Sequence, residues 1–168
     1  MKTVTIIYET NIQNKPFKDK LVSTMEEIFR NRNLKVTRME MIPRTDSRTY
    51  STPLENNTPD FLCTLDMAGF QIGTLQEVPF YDICRAKQMH IVLDEGYFKL
   101  FADKPFALNL YMFIPGNTEK LRKVYPDVPN LFGYPRLSGN SSDKSTLERI
   151  IDLVLKEVAE SEKNSQAL

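Results

Sequence analysis

Thr3-Val-Thr-Ile-Ile-Tyr8, a polar break from Glu9 to Lys15, Pro16 with a face of Phe17, Leu21, Met25, Ile28 and Phe29, and then Leu34-Lys-Val-Thr-Arg-Met-Glu-Met41: this opening decides the fold. The first run is β-branched and suits a central strand. Pro16 fits the first turn of a helix, where its missing N–H leaves no bond unmade. The five apolar residues behind it recur at helical spacing, and Asn31-Arg32-Asn33 ends the helix. The second run alternates strictly, so one of its faces is less covered than the other. Together they read as a β-α-β unit, whose right-handed crossover makes the two strands parallel.

The same rhythm continues downstream. Phe61–Leu65, His90–Leu93, Leu110–Ile114 and a weaker Leu131–Tyr134 are short apolar runs, each closed by polar or glycine-bearing residues. Helical stretches are expected at Pro79–Ala86, at Tyr97–Phe101, and at Thr118–Tyr125 with Asn117 or Thr118 as its cap. A final helix capped by Ser141 or Ser142 carries a stripe of Leu147, Ile150, Ile151, Val154, Leu155 and Val158. Strands alternating with helices predict an α/β fold: a single three-layer (αβα) Rossmann-like or flavodoxin-like domain around a mostly parallel sheet of five to six strands. The expected strand order is 3-2-1-4-5 with the sixth at the far edge. Residues 1–160 form the domain and residues 161–168 a polar tail. Residues 43–59, rich in Pro, Ser, Thr, Asn and charge, are expected to be a flexible connection. No internal repeat is visible.

Bulk composition narrows the function classes. The 168 residues suffice for one domain with a real core. Twenty-two basic residues balance 22 acidic ones, so no global field draws in nucleic acid or an anionic membrane. No apolar stretch approaches the roughly 20 residues of a membrane span. Met1-Lys2 leads straight into a β-run without the apolar region and cleavage site of a signal peptide. Cys63 and Cys84 are too few for a disulfide scaffold. The expectation is a cytoplasmic protein with no nucleic-acid or membrane partner.

In a parallel sheet, ligands bind outside the carboxyl ends of the strands. The loops at that rim hold the ligand-binding candidates Thr10, Asn11, Asp66, Gly69, Asp94, Glu95, Gly116 and Asn117, with Arg136 and Ser138-Gly139-Asn140 beside them. Hydroxyl and amide side chains there suit a sugar or base. Glu9, Asp66, Asp94 and Glu95 repel an anion unless a cation or Arg136 offsets them. The competing reading is that these acids only cap helices and solvate loop ends. A Mg²⁺ site on Asp66, Asp94 and Glu95 is disfavoured by nondescript spacing and by Lys120 and Lys123 lying on a helix. No metal site is expected.

Other chemistries leave weaker traces. Neither Gly-x-Gly-x-x-Gly after the first strand nor a Walker-type Gly-Lys-Ser occurs. Ile7–Lys15 stands where a flavodoxin holds its phosphate loop and has hydroxyl and amide groups, but it lacks the Ser/Thr-x-Thr-Gly-x-Thr pattern. With no tryptophan to stack on a flavin, FMN is disfavoured and no resident cofactor is expected. His90, the single histidine, reads as a packed strand residue rather than a catalyst. Cys84 beside Arg85 reads as structural. No Gly-x-Ser-x-Gly elbow is present, and no catalytic residue is assigned.

Four stretches carry a family resemblance: Asp60-Phe-Leu-Cys-Thr-Leu-Asp-Met-Ala-Gly-Phe70, Ala86-Lys-Gln-Met-His-Ile-Val-Leu-Asp94, Leu110-Tyr-Met-Phe-Ile-Pro115 and Tyr125-Pro-Asp-Val-Pro-Asn130. They resemble uncharacterised bacterial proteins that are similar to the N-terminal Rossmann-like half of GT-B glycosyltransferases. The resemblance implies a half that shapes the acceptor side, with the nucleotide-sugar gripped chiefly by a C-terminal half. It covers less than half of the chain, and 168 residues leave no room for that second half, so no catalytic residue maps. Three functions follow as expectations. The first is a nucleotide, sugar or nucleotide-sugar site on the rim. The second is a non-catalytic interaction domain, as a homodimer or as the subunit of a split enzyme, suggested by the alternating Leu34–Met41 strand and the Tyr97–Phe106 stretch. The third is a flavodoxin-like FMN carrier.

Overall fold

The computed structural model describes residues 1–41, 58–66, 68, 86–99 and 110–166. Its elements run in chain order as strand β1 (Thr3–Glu9), helix α1 (Lys15–Asn31), β2 (Lys35–Met41), β3 (Phe61–Leu65), β4 (Lys87–Ile91), α2 (Glu95–Lys99), β5 (Leu110–Pro115), α3 (Thr118–Val124), β6 (Asn130–Tyr134) and α4 (Ser142–Gln166). The expected connection at 43–59 and the expected helix at Pro79–Ala86 lie almost wholly outside the described residues, as do Gly69 and Cys84.

All six strands join one sheet and every pairing is parallel. The protein is therefore an α/β domain of the Rossmann-like class, as its rhythm predicted. The strand order differs from expectation: it is β2-β1-β3-β4-β5-β6. The reason is written in the burial of the strands. β1 is covered along its whole middle and β3 throughout, whereas most of β2 is exposed or half-buried. A strand with an open face belongs at an edge. With β2 at one end, β3 can only join the free side of β1.

Side chains alternate between the two faces of the sheet. Val4, Ile6, Cys63, Leu65, Met89, Ile91 and Phe113 share a core with Leu21, Met25, Ile28 and Phe29 of α1 and Leu147, Ile151, Val154 and Val158 of α4. On the opposite face, Leu110, Met112, Ile114 and Leu131 meet Phe98 of α2, with Leu121 and Tyr125 packed against them. Phe98 and Tyr125 meet edge to face at 4.8 Å, a favoured aromatic geometry. Arg32, just past the end of α1, ties the two helices of the first layer together by a two-pronged pair with Asp152 at 2.6 and 2.9 Å.

Local signals decide most helix ends. Pro16 stands in the first turn of α1, and Asn117 Oδ1 caps α3 by accepting from the Lys120 N–H at 3.1 Å. The expected serine cap of α4 is instead Asn140, whose Oδ1 accepts from the Ser142 N–H at 2.9 Å. Asp143 reinforces it by accepting from the N–H groups of Ser138 and Gly139 at 3.0 and 2.8 Å. α4 also runs on through residues 161–166, the stretch read as a tail. Polar as that stretch is, it contains no Gly or Pro to stop a helix. Among the described residues, no helix is long and apolar enough to cross a membrane.

Candidate functional site

The carboxyl ends of the strands form one rim, and the residues on it divide into two groups. The first lies where β1 and β3 adjoin, the point from which the chain winds in opposite directions. Here the β1–α1 loop binds itself. Asn11 and Asn14 exchange bonds, each backbone N–H donating to the other's Oδ1 at 2.8 Å. The Thr10 hydroxyl donates to Glu40 at the end of β2. Lys15 reaches the same carboxylate at 2.8 Å. The hydrogen bonds from Lys15 and Thr10 hold Glu40 below its ordinary carboxylate pKa. Thr10 and Asn11, predicted as ligand contacts, thus spend these groups on the fold.

Asp66 is the most constrained residue of this group. It ends β3 in the left-handed region at φ 47°, a conformation that Asp tolerates better than most side chains. Its Oδ1 accepts from the N–H groups of Leu93 and Asp94 at 2.6 and 3.0 Å, which fastens the end of β3 to the loop after β4. Its carbonyl accepts from His90 Nε2. A carbonyl cannot donate, so Nε2 carries a proton. Complete burial pushes the His90 pKa down to about 4, against the pull of that hydrogen bond. His90 is the packed strand residue that the sequence suggested. Burial also raises the Asp66 pKa. The Asp94 and Leu93 N–H groups and Lys18 oppose that shift, and the Asp94 carboxylate adds to it.

Lys18 is the residue that the sequence analysis missed. It is buried in the first turns of α1, its Nζ donates to the Glu9 carbonyl at 2.8 Å, and it stands 3.7 Å from Asp66 Oδ2. The signal was present: Lys18, Leu21, Val22 and Met25 keep the i, i+3, i+4, i+7 spacing of the buried stripe. A lysine there is a charge carried inward.

The second group lies past β5 and β6. Glu95, Gly116 and Asn117, three of the predicted residues, line an open groove of about 640 Å³ together with Thr118, Gly133 and Arg136. Its floor is backbone against backbone. A Cβ on Gly133 would stand 2.1 Å from the Gly116 carbonyl oxygen, so only glycine lets β6 approach the turn after β5 this closely. The Gly133 N–H donates to Thr118 Oγ1 at 2.9 Å, and the Gly116 N–H donates to the Tyr134 carbonyl at 3.0 Å. Gly116 itself holds φ 140°. Tyr134 sends its hydroxyl to the Val92 carbonyl, and burial pushes its pKa up.

Glu95 and Arg136 form an ion pair in this groove. Asp94 turns onto its own loop, where Oδ1 accepts from the Gly96 N–H at 2.9 Å. Among the described residues no three His, Cys, Asp or Glu side chains are grouped as metal ligands. Of the three acids named for Mg²⁺, Asp66 faces Lys18 and Glu95 faces Arg136, while Asp94 is turned to the Gly96 N–H. Among the described residues, donors without a partner remain beside the groove: the Asn117 side-chain N–H₂, the Thr118 hydroxyl, and the Arg136 N–H groups not turned to Glu95. Cys63 is buried in β3, where burial pushes its thiol pKa up and keeps it inert. No protein-family model, curated protein or solved structure matches this chain.

Proposed function

We propose that this domain binds a nucleotide, sugar or nucleotide-sugar on the carboxyl rim of its sheet. The observation that carries the reading is the groove of about 640 Å³ beyond β5 and β6, bordered by Glu95, Gly116, Asn117 and Arg136. Its size is within the range of small-molecule sites. Its spare groups are mostly donors, which suits a ligand rich in acceptor oxygens, and the Arg136 guanidinium can exchange Glu95 for a phosphate. The likeness of Asp60–Phe70, Ala86–Asp94, Leu110–Pro115 and Tyr125–Asn130 to the first half of GT-B glycosyltransferases favours the same ligand class.

A thermal-shift panel of nucleotides, sugars and nucleotide-sugars, with and without Mg²⁺, tests this. A ligand at about 100 times its Kd adds about 2.7 kcal/mol, which raises Tm by about 5–10 °C in a domain of this size. Arg136→Ala should abolish the rise for phosphate-bearing ligands. A flat response across the panel overturns the reading.

One observation favours a second reading. The order β2-β1-β3-β4-β5 is that of the flavodoxin-like class, which binds FMN at the β1/β3 switch point. Against it, the Thr10 hydroxyl is turned to Glu40 and the Asn11 side-chain oxygen to Asn14. Including FMN in the same panel separates the two, because a flavin carrier takes up the yellow chromophore.

A further inference from the structure

Where β1 and β3 adjoin, a lysine and an aspartate are buried together with hydrogen bonds left to make. Their side chains are 9% and 8% exposed. An ammonium has three N–H donors, and among the described residues Lys18 uses one, on the Glu9 carbonyl. Asp66 spends Oδ1 on two backbone N–H groups. Its Oδ2 has Lys18 Nζ at 3.7 Å and no hydrogen-bond donor among the described residues, and 3.7 Å is too long for a hydrogen bond. A buried pair at that separation is desolvated without being bonded, which is costly unless a further group completes it.

The group that completes it must donate to Asp66 and accept from Lys18. A hydroxyl does both. A fully ionised phosphate only accepts, and it would face the carboxylates of Asp66 and Asp94. An apolar group does neither. The remaining Lys18 N–H takes a second oxygen beside the first. Adjacent hydroxyls on a sugar ring match this arrangement.

We infer that Lys18 and Asp66 recognise vicinal hydroxyls of a sugar ring, so that the β1–β3 end of the rim holds the sugar of a ligand whose acceptor-rich part lies in the groove of Glu95 and Arg136. This rests on the function proposed above and names which end of the ligand goes where. The two ends are far enough apart for it. β1 and β5 are three strand positions apart, about 14 Å at about 4.8 Å per step, which calls for an elongated molecule of joined rings and phosphates.

Amide chemical shifts report the two ends separately. Leu93 and Asp94 N–H are bonded to Asp66 and sense the sugar end; Gly116 and Asn117 sense the groove. The probes are uridine diphosphate, its 2′,3′-dideoxy analogue and UDP-glucose, each titrated to millimolar concentration. Leu93 and Asp94 are expected to shift with uridine diphosphate and not with the dideoxy analogue if the ribose supplies the hydroxyls, or with UDP-glucose alone if the hexose does. Both results support the inference. Shifts confined to Gly116 and Asn117 with all three probes, or a dideoxy analogue that shifts Leu93 and Asp94 as far as its parent does, overturn it and leave the groove reading standing; the gap is then filled by water. No shift at either end overturns both.

Lys18→Met separates recognition from a merely structural role. It should weaken the hydroxyl-bearing probe about tenfold, the scale of one charge-assisted hydrogen bond, while leaving the affinity of the dideoxy analogue unchanged. Equal weakening of both overturns the inference. Should that variant not fold, the comparison of probes on the wild-type chain decides alone.

Discussion

Lowering the pH should destabilise this protein through His90, and the size of the effect follows from where that ring sits. His90 lies in β4, between β3 and β5, with 1% of its surface exposed. It is held neutral by burial, with a pKa of about 4 in the fold against an ordinary 6.5. Between these values the unfolded chain binds a proton that the folded chain refuses. The contribution is therefore present above about pH 6.5 and is lost as the pH falls through that window, at up to about 1.4 kcal/mol per pH unit. From pH 7 to pH 5 the loss is about 2 kcal/mol. Asp66 works in the opposite sense, since its pKa is raised in the fold and its contribution fades as the pH rises. Comparing the wild type with His90→Gln cancels that opposing effect, because Asp66 is present in both. Glutamine also keeps an N–H for the Asp66 carbonyl while removing the titration. Urea denaturation at pH 7 and pH 5 is the assay. The wild type should lose about 2 kcal/mol more than His90→Gln across that interval. A variant that keeps the wild-type pH slope would show that protonation of the buried ring does not govern acid stability.

Two further substitutions probe the groove and its floor. Gly133→Ala places a methyl carbon 2.1 Å from the Gly116 carbonyl oxygen, so β6 must separate from the turn after β5; a loss of about 3 kcal/mol, or about 6–12 °C in Tm, is expected by thermal melting. A Tm within about 2 °C of the wild type would refute that close approach. Tyr134→Phe removes the hydroxyl that donates to the Val92 carbonyl and leaves a buried acceptor unpaired, a loss of about 1–2 kcal/mol in urea denaturation. An unchanged denaturation midpoint would mean that water replaces the hydroxyl there.

Much of this protein is legible along the chain, because the features concerned are local. The β-branched run at Thr3–Tyr8, the apolar face of α1 and the stripe of α4 each report their own burial through spacing alone. Pro16 and the Asn117 cap act within one helical turn. From these, a mostly parallel sheet of five to six strands with helices on both faces could be expected. Glu95, Gly116 and Asn117 could be named as rim residues for the same reason: a strand end is a local event.

Which strand lies beside which was decided by the tertiary structure. β3 pairs with β1 because the open face of β2 belongs at an edge, a competition among whole strands that no single segment records. Tertiary structure likewise set Lys18 against Asp66, 48 positions along the chain, and aimed His90 Nε2 at the Asp66 carbonyl. It brought Gly133 within reach of the Gly116 backbone. Periodicity tells a residue to turn inward. What it meets there depends on the register and order of distant strands, and those follow from the burial of the whole sheet at once.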